Sequence, residues 1–202
     1  MFRIFLFISL LIGALQLTNA QEFNGGLYGG LVASQLDGDT FGGYNKAGLI
    51  SGAYVNRFID KKLALQFGLR YIQKGSRKAD NETGIDYRSQ LHYVEMPFTV
   101  RYFHYKKVNF EAGLALAYLI KGLESISGSD LAESQYPFNK FEISGIAGIN
   151  YEFSKKISVA GMFQYSVSQV RGYSSKYSSF LRKGQYNNIV YFTLNYKLSS
   201  WR

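Results

Sequence analysis

The sequence contains no cysteine and only two prolines among its 202 residues. The absence of cysteine excludes a disulfide framework, thiol catalysis and cysteine-ligated metal sites, so stability must come from burial and hydrogen bonding. Beyond the first 20 residues no apolar run is long enough to form a membrane-spanning helix. Aromatic residues, which favour strands, are abundant instead, with 17 Tyr and 16 Phe. This composition argues against a helical membrane protein and favours an all-β chain.

The N-terminus has the features of a secretory signal. Arg3 supplies one positive charge, residues 4–15 are uninterruptedly apolar, and Thr18-Asn19-Ala20 offers small side chains before Gln21. Such a stretch is too short for an ordinary membrane-spanning helix and is typical of a cleaved signal peptide. No cysteine follows it, which excludes a lipid-anchored lipoprotein. We therefore expect a signal peptide over residues 1–20 and one mature domain over 21–202.

Segments of alternating apolar and polar residues are separated by gaps that are alternately long and short. The four long gaps are rich in Gly, Ser, Asp, Asn and Tyr and cover roughly 34–45, 74–86, 121–138 and 171–185. Seven gaps imply eight strands, and short turns on one rim with long loops on the other are typical of an up-and-down transmembrane β-barrel of the bacterial outer membrane. Both termini then lie in the periplasm. The three short gaps each contain a lysine pair: Ile59-Asp60-Lys61-Lys62, His104-Tyr105-Lys106-Lys107 and Phe153-Ser154-Lys155-Lys156.

Within six of the eight segments the alternation assigns one face to lipid and the other to the lumen. The third segment shows it well: Leu65, Phe67 and Leu69 share one face, and Arg70 and Lys74 lie on the other. The first two segments, 23–33 and 46–58, are Gly-rich, and their faces remain unassigned.

Aromatic residues on the predicted lipid face gather at the strand ends. A soluble, lipocalin-like barrel is the alternative fold, but its apolar face would point inward. Two aromatic girdles about a bilayer apart favour the transmembrane barrel, because such rings suit the headgroup boundary. The girdle residues are Tyr102, Phe153 and Tyr196 near the short turns, and Tyr71, Tyr118, Phe141 and Tyr186 near the long loops.

Eight strands enclose a space that side chains can fill, so we expect a plugged lumen. Charged residues of both signs fall on the predicted lumen face and would neutralise one another there. The alternative function for them is a path for ions or protons. Pro97 lacks a ladder donor, which predicts a bulge beside Glu95. The expected lumen charge network consists of Arg70, Glu95, Arg101, Glu111 and Glu142.

Several short motifs, together with the Gly-rich first strands, resemble the PorT-like outer-membrane β-barrel family of Bacteroidota. They are Tyr71-Ile72-Gln73-Lys74-Gly75, Tyr93-Val94-Glu95-Met96-Pro97, Phe110-Glu111-Ala112-Gly113 and Gln185-Tyr186-Asn187-Asn188. The resemblance covers essentially the whole mature chain. It implies residence in the outer membrane and, for the family's namesake, a role in type IX protein secretion. One departure is Gln164-Tyr165, where the family often has Arg-Tyr.

The residues predict a structural or interaction component of the cell envelope rather than an enzyme. A small barrel that modifies lipid needs a base with an oriented nucleophile. Only His92 and His104 could act as histidine bases, and neither has a serine on the matching face. No phosphate-binding loop or zinc spacing occurs, so we expect no catalytic residue, no cofactor and no metal. A narrow pore for ions or small solutes is the alternative function.

The expected partners follow from charge and location. The formal net charge is +9, and much of it lies in the lysine pairs of the short turns. A barrel embedded in lipid is an improbable nucleic-acid binder, so this charge favours outer-membrane lipids and lipopolysaccharide, with other envelope proteins as further partners. The fourth long loop is basic and rich in Tyr and Ser, which suits a recognition surface. Its candidate partner-binding residues are Arg171, Tyr173, Lys176, Tyr177, Arg182 and Lys183.

Overall fold

The computed structural model describes residues 23–38, 42–79, 86–126, 129–133, 136–172 and 184–198. No helix in these ranges is long and apolar enough to cross a membrane. The predicted signal peptide, residues 1–20, lies outside them. The strands in chain order are β1 Asn24–Asp37, β2 Lys46–Asp60, β3 Leu63–Lys74, β4 Arg77–Ala79, β5 Asp86–Phe103, β6 Val108–Ile126, β7 Ala132–Glu133, β8 Phe141–Glu152, β9 Ile157–Ser166 and β10 Tyr186–Lys197.

Eight long strands form a closed antiparallel barrel, which confirms the predicted fold. Each of them pairs with the next long strand along the chain, and β1 pairs with β10 to close the sheet. The short strand β4 continues the sheet beyond β3 by pairing with β5, and β7 pairs with the outer end of β6. Both therefore extend the wall at one end only.

The two ends of the barrel differ in the length of their connections. At one end β2 and β3 are joined through Lys61 and Lys62 alone, and the β5–β6 and β8–β9 turns have four residues each. We call this end the turn rim. The other end carries the longer connections, and we call it the loop rim. In bacterial outer-membrane barrels, turns as short as those of the turn rim face the periplasm.

The outer surface is apolar and the interior is polar, so the predicted lipid and lumen faces of the six assigned segments are confirmed. On an ordinary soluble protein so wide an apolar belt would be an aggregation hazard, whereas lipid covers it here. The exposed belt includes Leu65, Phe67, Leu69, Val94, Met96, Phe98, Val100, Phe110, Leu114, Leu116, Ile143, Ile149, Ile157, Phe163, Phe192 and Leu194. Girdle residues Tyr102, Tyr118, Phe141, Phe153 and Tyr196 are also exposed on this surface.

The structure assigns the faces of the first two strands. In β1 Leu27 and Leu31 point outward and Val32 points inward. Several inward positions hold glycine, so the sequence shows no alternation of apolar and polar side chains from which these faces could be assigned. At Gly30 a Cβ would lie 1.9 Å from the carbonyl oxygen of Phe192, and at Gly52 it would lie 2.6 Å from the Cβ of Arg70. These glycines let the barrel wall close and leave room for the arginine.

The predicted bulge at Pro97 is wrong. The β3–β5 register is the same on both sides of Pro97, with Phe67 opposite Phe98 and Arg70 opposite Glu95. The proline is accommodated because its neighbour on β3 is Gly68, where a Cβ would lie 3.0 Å from the proline ring. A register shift occurs instead on the other side of β5, between His92 and Tyr93.

Candidate functional site

Glu95 lies at the centre of a buried group of charges in the loop-rim half of the lumen. Its Oε2 atom is 2.6 Å from Nη2 of Arg70, and its Oε1 atom is 2.5 Å from Nζ of Lys74. Lys74 also contacts Oε1 of Glu142 at 2.8 Å. All four side chains are at most 4% exposed. Two cations and two carboxylates therefore balance one another in a dry environment.

Neutral side chains complete this group. The Arg70 guanidinium donates to Oε1 of Gln164 at 2.6 Å and to the Tyr191 hydroxyl at 2.9 Å. The amide of Gln164 donates to Oε1 of Glu95 at 3.1 Å and to the Ser144 hydroxyl at 2.6 Å. Gln164 thus joins β9 to β3 and β5 across the lumen. We call Arg70, Lys74, Glu95, Glu142 and Gln164 the loop-side network.

Aromatic rings pack against both cations of the loop-side network. The Lys74 ammonium lies 4.8 Å from the ring centre of Tyr93, and the Arg70 guanidinium lies 5.0 Å from that of Tyr191. Desolvated cations over aromatic faces are stabilised by about 2 kcal/mol or more. Rings and ion pairs therefore pack together at this level of the lumen.

A second group of charges lies towards the turn rim. Arg101 Nε is 3.3 Å from Oε2 of Glu111, and Lys197 Nζ is 2.8 Å from Oε1 of Glu152. Glu111 also accepts hydrogen bonds from the side chains of Gln66, Thr99 and Asn150. Its side chain is 10% exposed and that of Glu152 is 18% exposed. We call Arg101, Glu111, Glu152 and Lys197 the turn-side network.

A small cavity separates the two networks. Its volume is about 30 Å³, and both Arg70 and Arg101 contribute to its lining together with Tyr28, Tyr54 and Glu111. A cavity of this size has room for about two water molecules. The lumen therefore holds a fully buried charged layer on the loop side, a small cavity in the middle and a less buried charged layer on the turn side.

The five predicted lumen charges all point inward, but the structure divides them between the two networks. Arg70, Glu95 and Glu142 belong to the loop-side network, and Arg101 and Glu111 belong to the turn-side network. The prediction did not include Lys74, Lys197, Glu152 or Gln164. All four lay on the lumen face that the alternation predicted, and this phase was the signal that could have added them.

Arg171 differs from its predicted role in the partner-binding loop. It is buried, its Nη2 atom is 2.7 Å from Oε1 of Glu124, and its guanidinium stacks 3.6 Å from the ring centre of Phe138. The Tyr87 hydroxyl donates to the same Glu124 oxygen at 2.6 Å. Arg171 therefore links the outer end of β6 to the segment that precedes β8. The other predicted loop residues, Tyr173, Lys176, Tyr177, Arg182 and Lys183, lie outside the described residues.

Both histidines lie among aromatic side chains. Nδ1 of His92 is 2.5 Å from the hydroxyl of Tyr71 on the outer face of the barrel. His104 lies in the β5–β6 turn, with its ring 4.2 Å from that of Tyr105 between ring centres. Among the described residues no group of three or more potential ligands could hold a metal ion.

A closed barrel with an apolar exterior and an ion-paired interior defines an integral outer-membrane β-barrel protein. The family model for the outer membrane protein beta-barrel domain matches residues 18–172. The chain belongs to this family and resides in the bacterial outer membrane. In the comparison with curated proteins, no relative matches this chain.

Solved structures of two small outer-membrane proteins share the fold. Neisserial surface protein A has a TM-score of 0.57 and 12% sequence identity, covering 86% of this chain and 97% of its own. Ail, the attachment invasion locus protein of Yersinia pestis, crystallised in complex with the heparin analogue sucrose octasulfate, has a TM-score of 0.53 and 9% identity, covering 88% of this chain and 99% of its own. At such low identity the likeness concerns the fold alone.

Proposed function

We propose that this barrel is a non-conducting structural and interaction component of the cell envelope. The observation that carries the proposal is the loop-side network, whose charged members are at most 4% exposed and span the lumen. A solute would have to break several buried ion pairs to pass, and breaking one such pair costs about 3 to 5 kcal/mol. Single-channel recording in planar bilayers tests the proposal: the protein should give no stable conductance at neutral pH.

A narrower role follows from the resemblance to the PorT-like family of Bacteroidota. The barrel would act as an accessory of a larger outer-membrane complex, such as the type IX secretion machinery. Deletion of the gene in its native host should then reduce the secreted amount of proteins exported by that machinery. A chromosomal copy that encodes the wild-type chain should restore secretion. Unchanged secretion in the deletion strain would contradict this role but not the proposal that the barrel is non-conducting.

The proposed partner surface is the loop rim, so the orientation of the barrel needs its own test. Tyr136 is 63% exposed in the connection between β6 and β8, and Lys106 lies in the β5–β6 turn at the opposite end. An impermeant maleimide added to intact cells should label Tyr136→Cys and spare Lys106→Cys, since long loops face the exterior. In lysed cells both variants should react. Labelling of Lys106→Cys alone in intact cells would show the inverse orientation.

The second candidate function is a narrow pore. The cavity between the two networks favours a pore, because only one layer of side chains, the loop-side network, then closes the lumen above a cavity. Lys74 has two carboxylate partners, and its movement between them would loosen that layer. A conducting barrel should show openings whose frequency changes in Lys74→Met. The absence of openings in both proteins would speak against a pore.

We also propose that the protein has no lipid-modifying activity. His92 is paired with Tyr71, and a base without an oriented nucleophile has no mechanism for acyl transfer. Incubation of the folded barrel with outer-membrane lipid should leave the acyl chains intact by mass spectrometry. Loss of an acyl chain that depends on His92 would overturn this proposal.

A further inference from the structure

Polar side chains interrupt the apolar outer surface on three neighbouring strands near the loop rim. Gln73 on β3 lies opposite His92 on β5, and His92 lies opposite Lys121 on β6. The Tyr71 hydroxyl links the first two, since it accepts from Nε2 of Gln73 at 2.9 Å and contacts Nδ1 of His92. This row, Tyr71, Gln73, His92 and Lys121, offers hydrogen-bond donors and acceptors at the upper edge of the lipid-facing belt.

Two arginines form a second row further towards the loop rim. Arg77 on β4 and Arg88 on β5 are directly opposite each other in the ladder, and both are exposed. Arg88 and His92 are four positions apart along β5, which is about 13 Å in a strand. Side chains at alternate positions share a face, and the intervening Ser89 and Leu91 are buried inward. Arg88 and His92 therefore both point outward.

The arginine pair is unfavourable without a partner. Like charges at directly opposite positions of an antiparallel pair destabilise a sheet. Among the residues that the structure describes, the carboxylate of Asp86 relieves this only in part, because it is 3.9 Å from Arg77 and both side chains are about half exposed. Glu124, on the neighbouring strand, is held inward by Arg171 and Tyr87. A conflict of this kind in an otherwise consistent sheet is expected at a functional site.

At the β1–β10 side of the loop rim the polar contacts involve an acidic residue and neutral side chains instead of arginines. On the opposite side of the barrel, Tyr44 donates to Oδ1 of Asn188 at 2.7 Å, and Asn188 donates to the Asp37 carboxylate at 3.2 Å. Partial burial and the nearby Asp37 charge raise the pKa of the Tyr44 phenol, which keeps it a donor. Phe141 and Val167 are among the strongly exposed residues described between these two sides. Among the residues that the structure describes, exposed or partly exposed basic side chains that face one another across neighbouring strands therefore occur here on β4, β5 and β6.

We propose that this basic outer surface binds the phosphorylated glucosamine disaccharide headgroup of lipid A in the outer leaflet. Arg77 and Arg88 form charge-assisted hydrogen bonds to the phosphate, which removes the repulsion between them. Tyr71, Gln73, His92 and Lys121 lie below and bind the sugar hydroxyls, while the acyl chains continue down the apolar belt. The proposal depends on residence in the outer membrane and is independent of any secretion role.

The test compares lipids and variants with purified, folded protein in detergent. Binding of phosphorylated lipid A, the same lipid A after phosphatase treatment, and phosphatidylglycerol is measured by native mass spectrometry titration. The wild type should bind phosphorylated lipid A more tightly than either of the other two. The double variant Arg77→Gln/Arg88→Gln should lose roughly tenfold to thirtyfold in affinity, because each basic residue near an anionic lipid surface contributes about 1 kcal/mol.

A matched control removes the same charge from the other end of the barrel. Lys106→Gln/Lys155→Gln should bind phosphorylated lipid A like the wild type, and all variants should show the wild-type gel shift on boiling, which reports folding. Without lipid A, Arg88→Gln should unfold at the wild-type temperature or higher, since it relieves the arginine repulsion. Equal binding of dephosphorylated lipid A or phosphatidylglycerol by the wild type, or unchanged affinity in the arginine double variant, would overturn the proposal.

Discussion

The two charge networks in the lumen use similar residues but differ in how tightly they are closed. In the loop-side network the ion-pair distances are 2.5 to 2.8 Å, and the charged side chains are at most 4% exposed. In the turn-side network Arg101 and Glu111 are 3.3 Å apart, and Glu152 is 18% exposed. The loop-side charges also share partners directly, whereas the two turn-side ion pairs are linked through the side chain of Asn109.

Under our proposal this difference locates the seal of the barrel in the loop-side network. A carboxylate bound by two cations and an amide cannot leave without exposing all three partners in a dry space, so the loop-side network holds a single arrangement. The carboxylates of Glu111 and Glu152 are 10% and 18% exposed, so water can approach the turn-side network and replace a lost partner. In the proposed sealed barrel the turn half of the lumen is therefore a vestibule below the closed layer, and the two halves should respond differently to the same substitution.

The largest effect is expected for Glu95→Leu. This change leaves Arg70 without its carboxylate and Lys74 with Glu142 alone, in a site that water does not reach. The free energy of unfolding should fall by about 3 to 5 kcal/mol. Urea titration of the folded barrel in phospholipid vesicles measures it. A loss below 1 kcal/mol would mean that the loop-side network does not hold the barrel together.

The matched substitution in the other half, Glu111→Leu, should cost less. Arg101 retains hydrogen bonds to Asn109 and Gln66 at 3.1 and 3.2 Å, and water can approach from the turn rim. We expect a loss of about 1 to 3 kcal/mol in the same urea titration, the usual cost of leaving buried polar groups partly unsatisfied. If Glu111→Leu lowered the free energy of unfolding as much as Glu95→Leu, the proposed difference between the loop-side and turn-side networks would be wrong.

The smallest effect is expected for Lys197→Met. Its partner Glu152 is 18% exposed and can be hydrated when the ammonium is removed, and the methionine fills most of the same volume. The free energy of unfolding should change by no more than about 1 kcal/mol, as for ion pairs that reach solvent. A larger loss in the urea titration would place this pair in the same class as the buried pairs around Glu95.

Much of the fold could be predicted from the sequence, because strand alternation and gap length are local signals. They gave eight strands, their order and the faces of six. The prediction was incomplete in β1 and β2, because a glycine has no side chain to show whether its position faces lipid or the lumen. Gly30 and Gly52 are examples, and both face the lumen. It was wrong at Pro97, because a glycine on the neighbouring strand makes room for the ring without a bulge.

The candidate site was predictable only as a set of inward-facing charges. Which charges pair depends on the strand register and on contacts across the lumen, and neither is encoded by alternation along one strand. Gln164 is 69 residues away from Glu95 in sequence, and barrel closure brings the two together. Arg171 was grouped with a basic loop by composition, whereas Glu124 and Phe138 come from a different part of the chain.

Single-channel recording of the wild type beside Glu95→Ala tests the central claim most directly. At neutral pH the wild type should give no stable openings in a planar bilayer, because the loop-side network closes the lumen. Glu95→Ala should give openings if it still inserts, since it removes the acid that joins Arg70 to Lys74 and leaves space in their place. Stable openings in the wild type, or a variant that inserts and stays silent, would contradict a lumen sealed by this network.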